Sequence, residues 1–456
     1  MAKKKESLTP EQRLQAALVP ESEQPYKVPE NWCWIRLGYS VNLFNGDRGS
    51  NYPSKKDYQP DGIPFINAGA IVNGELSKAE FNYISEEKYN ALRAGKIKQG
   101  DILYCLRGSL GKTAMVQQNF KGAISSSLCI LRTNKSILKE FLYYLLLSNV
   151  ISHQQDLAEN GSAQPNLSAA SVVEYMIPLP PLLEQQRIVA RIESLFAKLD
   201  EAKQKAQDAL DSFELRKAAI LHKAFTGELT AQWRKEHGVG MESWEKSKLG
   251  KYANTQYGYT DSASQEKIGP KFLRITDIQN GAVNWNNVPY CKISDEEFTR
   301  YAVLKNDIMI ARTGATTGKS YLIVDDVRAV FAYYLIRLTI TSPNLSPKYL
   351  YTFMQSQHYW GQITEFSAGI AQPGVNAKKL KEIDLPIPSI IEQSEIVRIL
   401  DDLLGKEQQA KEAAETVLEQ IDLIKKSILA RAFRGELGTN DPTEESAKQL
   451  LLQVLQ

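Results

Sequence analysis

Two glycine-punctuated stretches, Leu106-Arg-Gly-Ser-Leu-Gly-Lys-Thr113 and Ala311-Arg-Thr-Gly-Ala-Thr-Thr-Gly-Lys-Ser320, carry the residue types best suited to chemistry on a ligand. Each follows an apolar run and offers an arginine, hydroxyls, a lysine and backbone amides that glycine leaves accessible. That set suits DNA. A guanidinium can take guanine in a two-pronged hydrogen bond, lysine and backbone N–H groups hold phosphates, and glycine lets the chain approach a duplex closely. The reading nominates Arg107, Ser109 and Lys112 in the first loop and Arg312, Thr313, Thr316 and Lys319 in the second. An ordinary surface loop with a salt-bridging arginine explains either stretch taken alone; the recurrence brings the two readings level.

Two further loops follow the first strand expected in each half of the chain. Asn45-Gly-Asp-Arg-Gly-Ser-Asn-Tyr-Pro-Ser-Lys-Lys56 supplies Arg48, Lys55 and Lys56, and Gln256-Tyr-Gly-Tyr-Thr-Asp-Ser-Ala-Ser-Gln265 supplies Gln256 and Tyr257. They differ greatly in charge, as two different targets would require, although plain loop drift would give the same. Asn67 and Arg274 occupy matching places on the next strand, and both side chains can read base edges.

Catalytic look-alikes fail on spacing. Arg312 to Ser320 resembles a phosphate-binding P-loop, but Gly314 and Gly318 enclose three residues where four are needed, and no long helix follows. Pro60-Asp61 with Glu86-Glu-Lys88 imitates a metal-dependent nuclease cluster, yet Ser85-Glu-Glu-Lys88 reads as a helix cap with an acidic first turn. There is no adenine-methylation signature of the Asn-Pro-Pro-Tyr type. Four cysteines and four histidines are scattered without metal-ligand spacing, so no metal site is expected and the cysteines read as small core residues.

The elements that must position these loops occur twice. At an offset of 208 residues, Gln164-Pro165 recurs as Gln372-Pro373, Pro178-Leu-Pro180 as Pro386-Ile-Pro388, Glu184-Gln185 as Glu392-Gln393, and Phe225-x-Gly-Glu-Leu229 as Phe433-x-Gly-Glu-Leu437. Upstream the copies drift by a residue or two, with Asn73-Gly74 facing Asn280-Gly281 and Asp101-Ile-Leu103 facing Asp307-Ile-Met309. A shared scaffold therefore carries two divergent surfaces. Within each half, short β-type runs such as 63–66, 101–106 and 127–131 alternate with helical ones such as 86–93 and 139–157, which predicts an α+β fold.

A long helix follows each domain. Ile188, Ile192, Leu195, Leu199, Ala202, Ala206, Ala209 and Phe213 alternate four-and-three spacings, as do Ile396, Leu400, Leu403, Ala410, Ala414, Val417, Ile421, Ile424 and Ile428, with Glu407 interrupting once. These are heptad seams, and the alanines would let two helices approach closely. The first helix is predicted to run unbroken from Leu182 to Phe225, 44 residues, or about 66 Å at ~1.5 Å per residue. Packing of the two helices on each other is the expectation, since a stripe of that length overruns a single domain surface.

Composition sets outer bounds. The chain has 456 residues, 43% of them hydrophobic, enough for sizeable cores in two to four domains. Its net charge of +2 is too small to indicate a nucleic-acid partner by itself. The longest apolar run, Phe141 to Val150, is too short to cross a bilayer, and Met1-Ala-Lys-Lys-Lys-Glu-Ser7 lacks an apolar signal core. A cytoplasmic protein with no membrane partner is expected.

Ala163-Gln-Pro-Asn-Leu167, Ile177-Pro-Leu-Pro-Pro-Leu-Leu-Glu-Gln-Gln-Arg-Ile188, the heptad helix and Ala224-Phe-Thr-Gly-Glu-Leu-Thr-Ala-Gln-Trp-Arg234 together resemble the specificity (S) subunits of bacterial type I restriction-modification enzymes. The resemblance covers essentially the whole chain; the second copy departs to Pro388-Ser-Ile-Ile-Glu-Gln393 and Gly435-Glu-Leu-Gly438. It implies two target-recognition domains, an antiparallel coiled coil of the two helices, and recognition by each domain of one half of a bipartite, asymmetric target in double-stranded DNA. It also implies a non-catalytic chain without a cofactor of its own. Two adenine-N6 methyltransferase (M) subunits would bind S-adenosylmethionine, and in the full complex two restriction and translocation (R) subunits would use ATP and Mg. The corresponding segments are an N-terminal extension (1–25), a first recognition domain (26–178), a helix with connector (179–240), a second recognition domain (241–386), a second helix (387–437) and a tail (438–456). The competing reading is a coiled-coil adaptor joining two protein-binding domains with no DNA role, which the near-neutral charge favours.

Overall fold

The computed structural model describes residues 9–158, 166–279, 281–367 and 374–456, and the chain divides into two units, residues 1–205 with 417–456, and residues 206–416. Gln164-Pro165, Gln372-Pro373 and Asn280 of the repeats lie outside the described residues.

In the first unit the main strands are β1 (Cys33–Arg36), β2 (Val41–Asn45), β3 (Ile63–Ile66), β4 (Asn82–Ile84), β5 (Ile102–Cys105), β6 (Thr113–Met115), β7 (Ala123–Ile124), β8 (Leu128–Thr133) and β9 (Met176–Leu179). An antiparallel sheet has the order β2-β8-β5-β6. All four residues of β5 are buried because both faces of this sheet are covered. Ile102, Tyr104, Cys129 and Leu131 pack against Phe141, Leu145, Ile188 and Ile192, while Leu103, Cys105, Leu128 and Ile130 pack against Ile66, Ile71 and Ile124. A second sheet joins β3 to β4 antiparallel and to β7 parallel. Pairing of β1 with β9, from Cys33↔Leu179 to Arg36↔Met176, returns the chain to its starting edge, and Pro180-Pro181 hands it on to the long helix.

The single helix predicted over 139–157 is two, Lys139–Leu146 and Asn149–Ala158. Buried Ser148 lies between them and donates its hydroxyl to the Leu145 carbonyl at 2.6 Å, a local bond that competes with helix continuation.

The second unit repeats the plan with β10 (Glu245–Lys248), β11 (Ala253–Tyr257), β12 (Lys271–Leu273), β13 (Ile308–Ala311), β14 (Ser320–Leu322), β15 (Ala329–Phe331), β16 (Leu335–Ile340) and β17 (Asp384–Ile387). The sheet order is β11-β16-β13-β14, β12 runs parallel to β15, and β10 pairs antiparallel with β17. The P-loop look-alike is the turn of the antiparallel β13–β14 hairpin, not a strand-to-helix junction.

The long helices are α1 (Leu182–Asp211), α2 (Phe213–Phe225) and α3 (Ile390–Ala432). The unbroken 182–225 helix is thus interrupted at Ser212. There the Ala209 carbonyl accepts from the Ser212 hydroxyl at 3.2 Å and from both terminal nitrogens of Arg216 at 3.3 Å, so side chains compete for the acceptor that a continuing helix would use. By contrast α3 is continuous over 43 residues.

Helix pairing is antiparallel within each unit. In the first, Ile188 and Ile192 share a core with Leu429, Ala432 and Phe433, while farther along Asp200 pairs with Lys425 at 2.6 Å. In the second, Leu221 and Phe225 share a core with Ile396 and Leu400, and Arg216 pairs with Glu407 at 2.8 Å.

The seam differs from the sequence reading in four places. Ala209, Ala410, Val417 and Ile424 are exposed. Ile188, Ile192, Ala206, Ile396, Leu400 and Ala414 are buried, and Leu195, Leu199, Ala202 and Leu403 are half-buried. On α3 the contact stripe passes through Glu407 and Lys411, continues at Ala414 and Ile421, and reaches Lys425. Both polar types serve an apolar seam: Lys411 lies over the Phe213 ring at 4.9 Å and Lys425 over Phe196 at 5.1 Å, their aliphatic stems covering the interface. Polarity alone therefore misplaced the stripe beyond Leu403.

The repeated Glu-Gln pairs join each long helix to its domain. Gln185 accepts from Leu138 N–H at 2.8 Å and donates to the Ser136 and Pro180 carbonyls at 3.0 Å. Gln393 makes the same three bonds with Ser346, Asn344 and Pro388. Both glutamates are buried acceptors of an indole N–H, Glu184 from Trp32 at 2.7 Å and Glu392 from Trp244 at 3.1 Å. The motif phenylalanines plug the helical layers: Phe433 meets Phe141 edge-on at 5.3 Å, and Phe225 meets Phe353 at 5.2 Å. Gly227 and Gly435 follow at φ 84° and 76°, where an added Cβ would lie 2.6 Å from Met241 and 2.5 Å from Pro29.

Candidate nucleic-acid interface

Antiparallel order gathers the nominated loops at one end of each main sheet. In the first unit Asn45 lies opposite Cys129, Leu128 opposite Cys105, and Tyr104 opposite Thr113, so the loop after β2, the corner Ser125–Ser127 and the hairpin Leu106–Lys112 all leave from that end. The parallel β3 also finishes there, because the Ile66 carbonyl accepts from Ser125 N–H at 2.7 Å and Asn67 comes next.

Arg48, Lys55, Lys56, Arg107, Ser109 and Lys112 are exposed around this end. Asp47 fixes the loop that carries Arg48: its carboxylate accepts from the N–H groups of Gly49 and Arg93, both at 2.8 Å, and these two bonds hold its pKa below the usual carboxylate range. Ser54 caps the turn carrying Lys55 and Lys56. Arg107 donates from Nε to Asn166 Oδ1 at 3.1 Å, leaving its other guanidinium nitrogens toward solvent. Asn67 differs from expectation in being partly committed, since its Oδ1 caps a short helix by accepting from Gly69 N–H at 2.8 Å.

The second unit has the same frame, with Tyr257 opposite Ile336, Leu335 opposite Ala311, and Ile310 opposite Ser320. Here Arg312 lies over the Tyr257 ring at 4.9 Å, and Lys319 is exposed. Thr313 and Thr316 are half-buried in the hairpin loop. None of Arg107, Lys112, Arg312 and Lys319 forms an ion pair among the described residues.

Three further sequence expectations change. Gln256 is a strand residue tied into its own domain, accepting from the Arg337 guanidinium and donating to the Arg300 carbonyl at 3.1 Å. Arg274 has its Nε and Nη2 engaged by Asp277, at 3.1 and 2.7 Å, so only its remaining edge is available to a base. Most important, Arg107 and Arg312 are not equivalent. Leu106 and Arg312 occupy the same place: the N–H of each donates to the corner preceding the last sheet strand, to Ser127 at 2.8 Å and Tyr334 at 3.1 Å, and the carbonyl of each accepts from Leu167 at 2.8 Å and Val375 at 2.9 Å. Arg107 instead matches Thr313, each forming an isolated antiparallel bridge with a distant residue, Asn166 and Gly374 respectively. Lys112 and Lys319 do correspond, their carbonyls accepting from Cys105 and Ala311 at 2.9 Å.

Among the described residues, no group of three or more His, Cys, Asp or Glu is placed to hold a metal ion, and no helix is long and apolar enough to cross a membrane.

A family model described as the type I restriction modification DNA specificity domain matches residues 29–210 and again 241–420. The chain belongs to that family. The EcoKI specificity subunit of Escherichia coli strain K12 is 25% identical, the match covering 90% of each chain. The EcoBI specificity subunit of Escherichia coli is also 25% identical, over 90% of this chain and 87% of its own. Among solved structures, the HsdS subunit from Thermoanaerobacter tengcongensis superposes with a TM-score of 0.67 at 23% identity, covering 91% of this chain and all of that one.

For this specificity-domain chain, sequence reasoning missed the corner residues Ser125–Ser127 and Ala332–Tyr334. They link the parallel strand pair to the main sheet, so every nominated loop borders them. Their position depends on β-register, which no local pattern encodes.

Proposed function

We propose that this chain is the non-catalytic DNA specificity subunit of a type I restriction-modification system, reading a bipartite, asymmetric target with one recognition unit per half. The observation that carries the proposal is the contrast at the two sheet ends. The frame and the lysine are repeated, yet Leu106-Arg107 stands where the second unit has Arg312-Thr313, and Ser126-Ser127 where it has Tyr333-Tyr334. A common scaffold with dissimilar reading residues fits two different half-sites.

In this reading Arg48, Lys55, Lys56, Arg107, Ser109, Lys112 and Asn67 serve the first half-site. Tyr257, Arg312, Thr313, Thr316 and Lys319 serve the second, with Arg274 contributing its free edge. Methyltransferase subunits carry S-adenosylmethionine, and restriction subunits carry ATP and Mg. Repetition of the scaffold within the chain favours two copies of each. The cytoplasm is the compartment that suits such an assembly.

Mapping methylated adenines in cells with and without this gene tests the proposal. One two-part motif that disappears with the gene is expected. An unchanged methylation map, together with no sequence preference in gel shifts run with methyltransferase subunits, would leave a protein adaptor as the better account.

A further inference from the structure

Tyr333 and Tyr334 give the second sheet end a pair of adjacent rings with no counterpart at the same corner among the described residues of the first. They are 36% and 45% exposed, with ring centroids 3.7 Å apart. Their backbone is pinned on three sides. Tyr333 N–H donates to the Tyr259 carbonyl at 2.9 Å, Leu335 N–H closes the turn onto Ala332 at 2.9 Å, and Arg312 N–H holds the Tyr334 carbonyl at 3.1 Å. Rings on a fixed corner supply large apolar contact area at low conformational-entropy cost.

The surroundings select the occupant. Arg312 lies beside the pair, with Nη1 3.5 Å from the Tyr333 carbonyl, and the same hairpin carries exposed Lys319. Apolar rings next to cations without ion-pair partners among the described residues suit a ligand that combines apolar groups with a polyanionic backbone. At the same corner of the first unit, Ser125 and Ser127 join hydroxyls at 2.7 Å and offer no comparable apolar surface.

We propose that Tyr333 and Tyr334 are specificity-determining residues of the second unit, packing their rings on thymine C5-methyl groups in the major groove of double-stranded DNA. The inference rests on the DNA-recognition reading above. Thymine alone among the bases presents a methyl group in that groove, so an apolar surface distinguishes it from cytosine and fixes the orientation of an A·T pair.

The test uses the full chain assembled with its methyltransferase subunits and duplexes carrying the mapped target. Each thymine of the second half-site is replaced in turn by deoxyuridine, which removes only the methyl group. At one or more positions the wild-type assembly should bind about fourfold more weakly, as expected for one buried methyl. The double variant Y333A/Y334A should bind both duplexes alike there while keeping its preference at the first half-site. Y333F/Y334F should retain the discrimination.

A second half-site lacking thymine, or equal wild-type affinity for every deoxyuridine duplex, would overturn the proposal and leave DNA recognition intact. Loss of discrimination in the phenylalanine variant would assign the contact to the hydroxyls and also overturn it. Absence of any motif for the wild-type assembly would remove the underlying reading itself.

Discussion

Glu184 in the first unit and Glu392 in the second occupy the same place on the long helices and accept from the same kind of indole, yet among the described residues only Glu392 forms an ion pair. Arg234 pairs with it at 2.7 Å, with side chains 7% and 1% exposed, and Thr230 adds a hydroxyl at 2.7 Å. Around Glu184 the tail supplies neutral groups, Asn440 at 2.8 Å and Thr439 at 3.4 Å, while Arg187 turns to Glu444 at 2.8 Å. At the opposite ends of the sheets the difference reverses in meaning, because there the changes fall on residues free to meet a ligand. Duplication has preserved the function of the scaffold carboxylate with altered partners, and preserved the frame of the reading end with altered chemistry.

The largest break in this comparison should come from Arg234→Ala, which leaves Glu392 buried without its cation; we predict a loss of about 3–5 kcal/mol in denaturant unfolding. Asn440→Ala removes only a neutral donor from Glu184, for which about 1–3 kcal/mol is expected. Equal losses in the two variants would show that the second unit gains nothing particular from the ion pair.

The corrected seam makes the next contrast. Ile421, 2% exposed, should cost about 2–5 kcal/mol when changed to Ala, whereas Val417→Ala, at a position 39% exposed, should change stability by no more than about 0.5 kcal/mol. A larger cost at Val417 would restore the stripe first read from the sequence.

At the reading ends, Arg312→Ala should relax preference at one position of the second half-site by about 1–3 kcal/mol, and Arg107→Ala should do the same in the first only. Lys112→Ala and Lys319→Ala should weaken binding on all sequences alike and lower the salt slope by about 1 each. Binding measured against salt on matched and mismatched duplexes separates these outcomes. An arginine variant that behaves like the lysine ones is a phosphate contact.

The smallest effect concerns pH. Burial holds the Glu184 carboxyl above the usual glutamate range, against the hydrogen bonds from Trp32 and Asn440. A folded-state pKa above the unfolded value means that the native state binds the proton more tightly, so this group's contribution improves as pH falls through the folded value and is weakest above it. Relative to Glu184→Gln, the wild type should therefore gain stability as pH falls from neutral toward the ordinary glutamate value of about 4.3. A constant difference across that range would rule out the assignment.

Much of this was legible in the chain itself. The 208-residue repeat, the prolines that close each recognition domain and the glycines that follow each long helix are local punctuation, and the two hairpin loops were placed correctly after their strands, whereas the stretches at 45–56 and 256–265 follow the second strand of each unit and begin inside it. Binary patterning specified the two long helices, since a heptad stripe is a property of one segment.

Tertiary structure decided which partners each side chain takes. It set Leu106, not Arg107, opposite Arg312, withdrew Gln256 into its domain through Arg337, and turned one edge of Arg274 to Asp277. It drew Glu407 and Lys411 into an apolar seam and opened the helix at Ser212 through competition for the Ala209 carbonyl. Periodicity and turn chemistry act between residues a few positions apart and can be read along the chain. The choice among acceptors depends on strand register and on which distant groups folding brings within hydrogen-bond reach, and no local spacing contains that information.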